Sequence, residues 1–244
     1  MLQTHLCSKI DNNKKSYRRK QPNRLQYFWG DNLKDIPFFS TELGVASLTL
    51  REIPYSKKAY ILIRDTQEGE AFLRECADFC CVAGAEEIYA SGHTACQAYS
   101  EHTAILQMQI HKEQLEESDA YLFPVTEASV GLWRQLYNEK AVNIPNATYM
   151  TAADEKELIR SCGGYFIHKD GSLLGIGRVE GNMILWISSC VPGQGKTVLC
   201  ALAHTLTDEI VTLEVSEKNT KAMAFYERMG FVPSKKLSCW YRVK

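Results

Sequence analysis

A mixed α/β fold, with a mostly antiparallel sheet flanked by helices, is predicted by three stretches of this sequence. The first is a meander: residues 164–168, 173–179 and 183–188 read as short strands, with turn dipeptides Asp170-Gly171 and Gly181-Asn182 between them. The second is strand, Gly-rich loop and helix in succession. MILWIS runs through Cys190 and Val191 into Pro192-Gly193-Gln194-Gly195-Lys196-Thr197, and VLCALAHTL follows. The third joins an alternating strand (Val211, Leu213, Val215) to a helix with Asn219 at its N-cap. Ala222, Phe225, Tyr226 and Met229 fall at i, i+3, i+4 and i+7 on that helix. Gly230 stops it as the left-handed C′ residue, with Phe231 folding back. Tyr226 therefore points inward, and its hydroxyl is expected to meet a polar core group or a cleft.

The elements follow in chain order. Residues 1–24 carry Lys9, Lys14, Lys15, Arg18, Arg19, Lys20 and Arg24 against Asp11 alone, and read as a solvated basic tail. Residues 25–117 read as a first α/β domain: strand 59–64, helix 68–83 ended near Gly84, strand 87–90 and strand 103–110. The polar run 111–119 (HKEQLEESD) marks a boundary, so a second domain over 118–244 is expected to fold independently. It opens with strand 120–125, continues with helices 129–140 and 152–162, the second capped by Thr151, then the meander and the two motifs above. It closes on strand 237–243. The first domain repeats, weakly, the strand-helix-strand order of the second.

Composition narrows the function. A chain of 244 residues with 45% hydrophobic content can bury one large core or two modest ones. A net charge of -1 argues against an obligatory nucleic-acid partner. No apolar run approaches the roughly 20 residues that span a bilayer, and the N-terminus lacks a secretory apolar region, so the expected compartment is the cytoplasm, with no membrane partner. Nine cysteines without CxxC spacing read as reduced, mostly buried thiols, and no metal site is expected.

Strand, Gly-rich loop and helix make an anion cradle. The first-turn amides of the helix lack intrahelical acceptors and sit at the positive dipole end, and Gly195 is expected to let a ligand approach. Gly195-Lys196-Thr197 is also the tail of a P-loop. The leading Gly of that motif would stand at Cys190, where a side chain opposes the tight turn, so nucleotide hydrolysis is disfavoured.

Taken together, the two C-terminal segments resemble the GNAT acyltransferase superfamily. Asn219, Ala222, Phe225, Tyr226, Gly230 and Phe231 match its block Asn-x-x-Ala-x-x-aromatic-Tyr-x-x-x-Gly-Phe. Its pyrophosphate loop, Gln or Arg, x, x, Gly, x, Gly or Ala, is matched in part: Gln194 and Gly195 fit, while Thr197 and Leu199 stand where the motif has small residues. The added side chains are expected to crowd the cradle. The resemblance covers about half the chain and implies a GNAT-like sheet over 118–244; the weak repeat of element order makes 25–117 a degenerate copy in tandem that has lost its own cofactor site, with an unrelated α/β domain as the alternative. It implies acetyl-CoA as cosubstrate, held by Ser189, Cys190, Val191, Gln194, Gly195, Lys196, Thr197, Val198 and Asn219. It implies direct acetyl transfer to a primary amine, with Tyr226 as general acid and Asn219 orienting the chemistry. The base is left open among Glu180, Glu214, His168 and a water chain. The acceptor expected is a small molecule. The rival reading is a non-catalytic GNAT-fold scaffold that binds CoA weakly.

Overall fold

A computed structural model of the chain describes residues 38–142 and 144–244; the basic tail 1–24 lies outside the described residues. In chain order the elements are β1 (Phe38–Thr41), β2 (Gly44–Thr49), α1 (Ile53–Ser56), β3 (Lys58–Thr66), α2 (Gly69–Val82), β4 (Glu87–Ser91) and β5 (Ser100–His111). There follow β6 (Tyr121–Pro124), α3 (Val130–Ala141), α4 (Ala152–Ser161), β7 (Gly164–Lys169), β8 (Ser172–Glu180), β9 (Met183–Ser189), α5 (Gly195–Thr205), β10 (Ile210–Ser216), α6 (Thr220–Arg228) and β11 (Val232–Arg242). A short 3-10 helix, Thr94–Ala98, links β4 to β5. The mixed, mostly antiparallel sheet with flanking helices is as the sequence predicts.

Local chemistry accounts for the elements. Asp170 and Gly171 both have positive φ, 50° and 75°, and close the β7–β8 hairpin tightly. Thr151 and Asp154 form a reciprocal capping box on α4. Gly230 takes φ 93°, and Phe231 N–H returns to the Tyr226 carbonyl at 3.0 Å. Two strands precede the first one read from the sequence: in β2, Gly, Ala and Ser dilute the apolar alternation. β11 starts five residues before the expected Leu237, because its exposed first turn, Val-Pro-Ser-Lys-Lys, reads as loop.

The eleven strands of the described residues lie in one sheet, ordered β1-β2-β3-β4-β11-β5-β10-β9-β8-β7-β6. β5 lies between β10 and β11, antiparallel to both, and β11 reaches past it to β4. The order is symmetric about the β5/β11 pair. Outward from β11 come β4, β3 and β2; outward from β5 come β10, β9 and β8. Among the described residues the only parallel pairs, β3/β4 and β9/β10, occupy matching places, each connected by a helix, α2 or α5. Residues on either side of position 117 are therefore tied by reciprocal strands.

The core lies on both faces. α5 and α6 cover one, where Val198, Leu199 and Leu202 meet Val211, Leu213, Tyr226 and Phe231. A Cβ at Gly177 would collide with Leu202, so a glycine there lets α5 approach β8 closely. α3 and α4 cover the other face at the C-terminal end of the sheet, where Trp133 and Leu158 pack on Phe166 and Ile176. α2 covers β2, β3 and β4 through Phe72, Leu73, Cys76 and Cys80. Burial pushes the Cys76 and Cys80 thiols up to about 12, so both are inert, protonated core groups at neutral pH.

Candidate active site

The site originates in one extra residue. β9 pairs with β8 through Val179↔Ile184 and then Arg178↔Trp186, which leaves Leu185 as a bulge. Because side chains alternate along a strand, this insertion reverses the parity beyond it. Ile184 faces α5, yet two residues on Trp186 faces α3, its ring 4.2 Å from that of Tyr137. Parallel pairing with β10 stops at the same level, after Met183↔Thr212 and Ile184↔Leu213. Past it the two strands part, and a cleft of about 1140 Å³ opens between them, bounded by α5, α6, α3 and the segment 144–150. That exceeds the volume of an ordinary small-ligand pocket.

At one end of the cleft stands the N-terminus of α5. Gln194 is its N-cap, without a side-chain cap bond, and Val198 N–H already donates to the Gln194 carbonyl at 3.1 Å. The amides of Gly195, Lys196 and Thr197 are those a first turn leaves without helix acceptors. Ser189, Cys190, Val191, Gly195, Lys196 and Asn219 line the cleft; Gln194, Thr197 and Val198 do not. Val198 is fully buried, and the Thr197 hydroxyl donates to Gln194 Oε1 at 3.1 Å. The expected crowding by Leu199 does not arise, since that side chain is wholly buried among Val198, Leu202 and Leu213. Cys190 N–H donates to the Leu174 carbonyl at 2.7 Å, and the Val191 carbonyl accepts from Ser189 Oγ at 2.6 Å and from Gln194 N–H at 3.2 Å. These main-chain groups thus stiffen the loop. Lys196, salt-bridged to Glu116, stands with Lys221 and Arg228 as a cationic rim, of which the sequence pointed to Lys196 alone.

Tyr226 and Asn219 reach the middle of the cleft from α6. Asn219 is the helix cap, Oδ1 accepting from Ala222 N–H at 3.3 Å. Burial pushes the Tyr226 phenol above its usual range, so it stays protonated through neutral pH. Of the three candidate bases, Glu214 lines the cleft, with both carboxylate oxygens buried. Glu180 stands at the far end of β8, paired with Met183, and His168 packs edge-on against Phe123; neither lines the cleft.

The other end is polar and aromatic. Arg51 Nη1 binds Asp154 Oδ1 at 2.9 Å, while Asp154 Oδ2 caps α4. The buried Glu52 carboxylate accepts from Tyr149 N–H at 3.0 and 3.1 Å, and burial raises its pKa. Asn138 brackets Met150 through bonds of 2.8 and 2.9 Å, fixing the segment against α3. Within this frame Arg51, Tyr137, Arg178 and Trp186 line the cleft. Burial pushes the Tyr137 phenol up to about 12. The sequence reading singled out none of these four. Arg178 carried one signal: it follows the fully buried Ile176 by two residues, a charge on an inward face. Among the described residues no group of three or more His, Cys, Asp or Glu side chains could hold a metal.

No protein family matches the chain in sequence, and no curated protein does. Solved structures do match. A GCN5-related N-acetyltransferase from Kribbella flavida is similar with a TM-score of 0.53 at 11% identity, covering 90% of this chain and 91% of that one. A GCN5-related N-acetyltransferase from Sphaerobacter thermophilus gives 0.51 at 14% identity, covering 81% and 75%. A conserved protein of unknown function from Staphylococcus epidermidis gives 0.52 at 12%, covering 87% and 94%. The class that the architecture defines is thus the GNAT fold. No helix among the described residues is long and apolar enough to cross a membrane.

Proposed function

We propose that the chain is a cytoplasmic acyl-CoA dependent N-acyltransferase that moves an acetyl group from acetyl-CoA to a primary amine of a small molecule. The observation that carries this reading is the parting of β9 and β10 at the Leu185 bulge, which joins the helix N-terminus of α5, Tyr226 and Glu214 in one cleft. The amides of Gly195, Lys196 and Thr197 would hold the pyrophosphate, with Lys196, Lys221 and Arg228 adding charge at the rim. Glu214 would take the proton of the amine as its nitrogen attacks the thioester carbonyl. As the tetrahedral intermediate collapses, the C–S bond breaks and Tyr226 hands its proton to the departing thiolate. The products are the amide and CoA thiol.

On this reading the N-terminal half is a degenerate copy of the same fold without a cofactor site, and the 25–117 and 118–244 units share strands through β5 and β11. The topological symmetry supports the copy. Three features argue that it binds no acyl-CoA. β3 and β4 stay paired over five residues where β9 and β10 pair over two. A Cβ at Gly69, the first residue of α2, would collide with the His93 ring, so that helix start is covered. Glu68 and Glu70 flank it and would repel a pyrophosphate. What this half gives the cleft is Arg51.

Calorimetry tests the cofactor site. Wild type is expected to bind one CoA per chain, and a stoichiometry of two would overturn the degenerate-copy reading. Gly195→Pro places proline at the first helical position, where it suits the helix but removes one amide donor. CoA affinity should fall on the order of tenfold or more with α5 intact, whereas Lys196→Ala should weaken it only a few-fold. Equal affinity in wild type and Gly195→Pro would remove α5 from the site. An acceptor screen with acetyl-CoA, reading released thiol, tests the activity itself; CoA binding without turnover of any amine would favour the scaffold reading.

A further inference from the structure

Arg178 lines the cleft at its acceptor end from the sheet and carries no ion pair among the described residues. Arg51 beside it is ion-paired with Asp154 through Nη1, whereas Arg178 has no such pair; the Nε of each is buried without a hydrogen-bond acceptor. Two more donors share this condition on the same face of the sheet. Trp186, directly opposite Arg178 across the β8/β9 pair, has a buried Nε1–H without an acceptor. Ser188, opposite Ile176, has a buried hydroxyl without a partner. The Leu185 bulge turns both toward this side. A guanidinium with a buried Nε, an indole N–H and a hydroxyl lining one cleft make a donor set that suits an acceptor-rich anion, since leaving such donors unpaired is costly.

Glu214 stands across the gap. The β9/β10 register puts it level with the bulge, and its side chain is on the face opposite that of Leu213, hence on the face of Arg178. Arg178 and Glu214 therefore flank β9 at one height, two strand spacings or at least about 10 Å apart at the backbone. Both side chains reach inward toward the space between. Its ends are cationic and anionic, and its wall is the aromatic run of Trp133, Tyr137 and Trp186.

We infer that the acceptor is a primary amine carrying a carboxylate, an amino acid or a close relative, whose carboxylate is bound by Arg178, Trp186 and Ser188 while its amine is presented to Glu214. This deepens the acyltransferase reading and rests on it. The guanidinium binds the carboxylate in its planar fork, which fixes the direction from which nitrogen approaches the thioester. Arg178 is thus a specificity-determining residue and Glu214 the proton acceptor: N–H breaks toward Glu214, C–N forms, C–S breaks, and thiol leaves.

The test uses the full chain with acetyl-CoA and thiol release, on a panel in which each L-amino acid is matched with its amide and its decarboxylated amine. Wild type is expected to prefer the acid by at least about 100-fold in kcat/KM. In Arg178→Gln that ratio should collapse below about tenfold, mainly through KM for the acid, with partial recovery in Arg178→Lys. Equal turnover of acid and decarboxylated amine by wild type, or a ratio unchanged in Arg178→Gln, would overturn the proposal. So would a preference for succinyl-CoA over acetyl-CoA with decarboxylated amines, because the carboxylate would then belong to the acyl group. If Arg178→Gln fails to fold, the wild-type ratio and Arg178→Lys decide. If no compound releases thiol, calorimetry of amino acids against CoA-loaded protein decides: binding of acids alone supports the site, and no binding sinks it. Failure of CoA itself to bind would instead remove the acyltransferase reading, and titration of amino acids into the unloaded chain would still report on Arg178.

Discussion

Residues 118–244 expressed alone are expected not to give a cooperatively folded protein, although their sequence reads as a self-contained domain. β5 supplies the strand between β10 and β11, with seven register pairs to β10, from His111↔Ile210 to Ile105↔Ser216. Its removal exposes the main-chain groups of two central strands at once and strips Met108 and Ile110 from the core against Leu213 and Phe231. Losing two such buried side chains alone costs about 4 kcal/mol or more, comparable with the whole stability of an ordinary domain. A fragment beginning near Ser100, which retains β5, is expected to do better than one beginning at Ser118. The check is thermal unfolding of both fragments beside the full chain. A sharp transition for 118–244 near that of the full chain would show that β5 is dispensable.

Tyr226→Phe is expected to lower turnover on the order of 10² while leaving the melting temperature nearly unchanged. The ring packs 5.4 Å from Phe225 and 5.7 Å from Phe231, and phenylalanine keeps those contacts. No protein group among the described residues hydrogen bonds the hydroxyl, so its removal strands no partner. Its raised pKa keeps the phenol protonated below about pH 10, so the alkaline side of the rate profile should show no loss attributable to this proton before that point. Single-turnover thiol release across pH 6–10 in both proteins checks both statements. Unchanged turnover in Tyr226→Phe would assign the residue to the core and leave protonation of the thiolate to water.

What could be read from the sequence follows from the range of each signal. Caps, stops and turns are local, and Thr151, Asp170-Gly171, Asn219 and Gly230 are where their chemistry puts them. The α5 end of the cleft was legible for the same reason, being built from one strand, one loop and one helix. The aromatic end was not. Arg51 arrives there from 103 residues upstream of Asp154, and Trp186 faces it only because a bulge breaks a period-two pattern that otherwise assigns it to the other face. Bulges leave no mark in hydrophobic alternation. The exchange of β5 and β11 was invisible too, since a polar run such as 111–119 looks like a domain boundary whether or not the strand before it crosses over.

That exchange also orders events in time. Pairs such as Ile110↔Val211 and Ala90↔Tyr241 span 101 and 151 residues, so the centre of the sheet rests on contacts of very high sequence separation. β4 cannot gain its inner neighbour until residues 232–242 have left the ribosome. The first half must therefore wait, edge exposed, for the end of the chain, and refolding in vitro is expected to show one slow concerted phase, not two independent ones. Stopped-flow signals from Trp240 beside the β5/β11 pair and from Trp133 under α4 should share that phase; separate rate constants would mean that the halves form on their own.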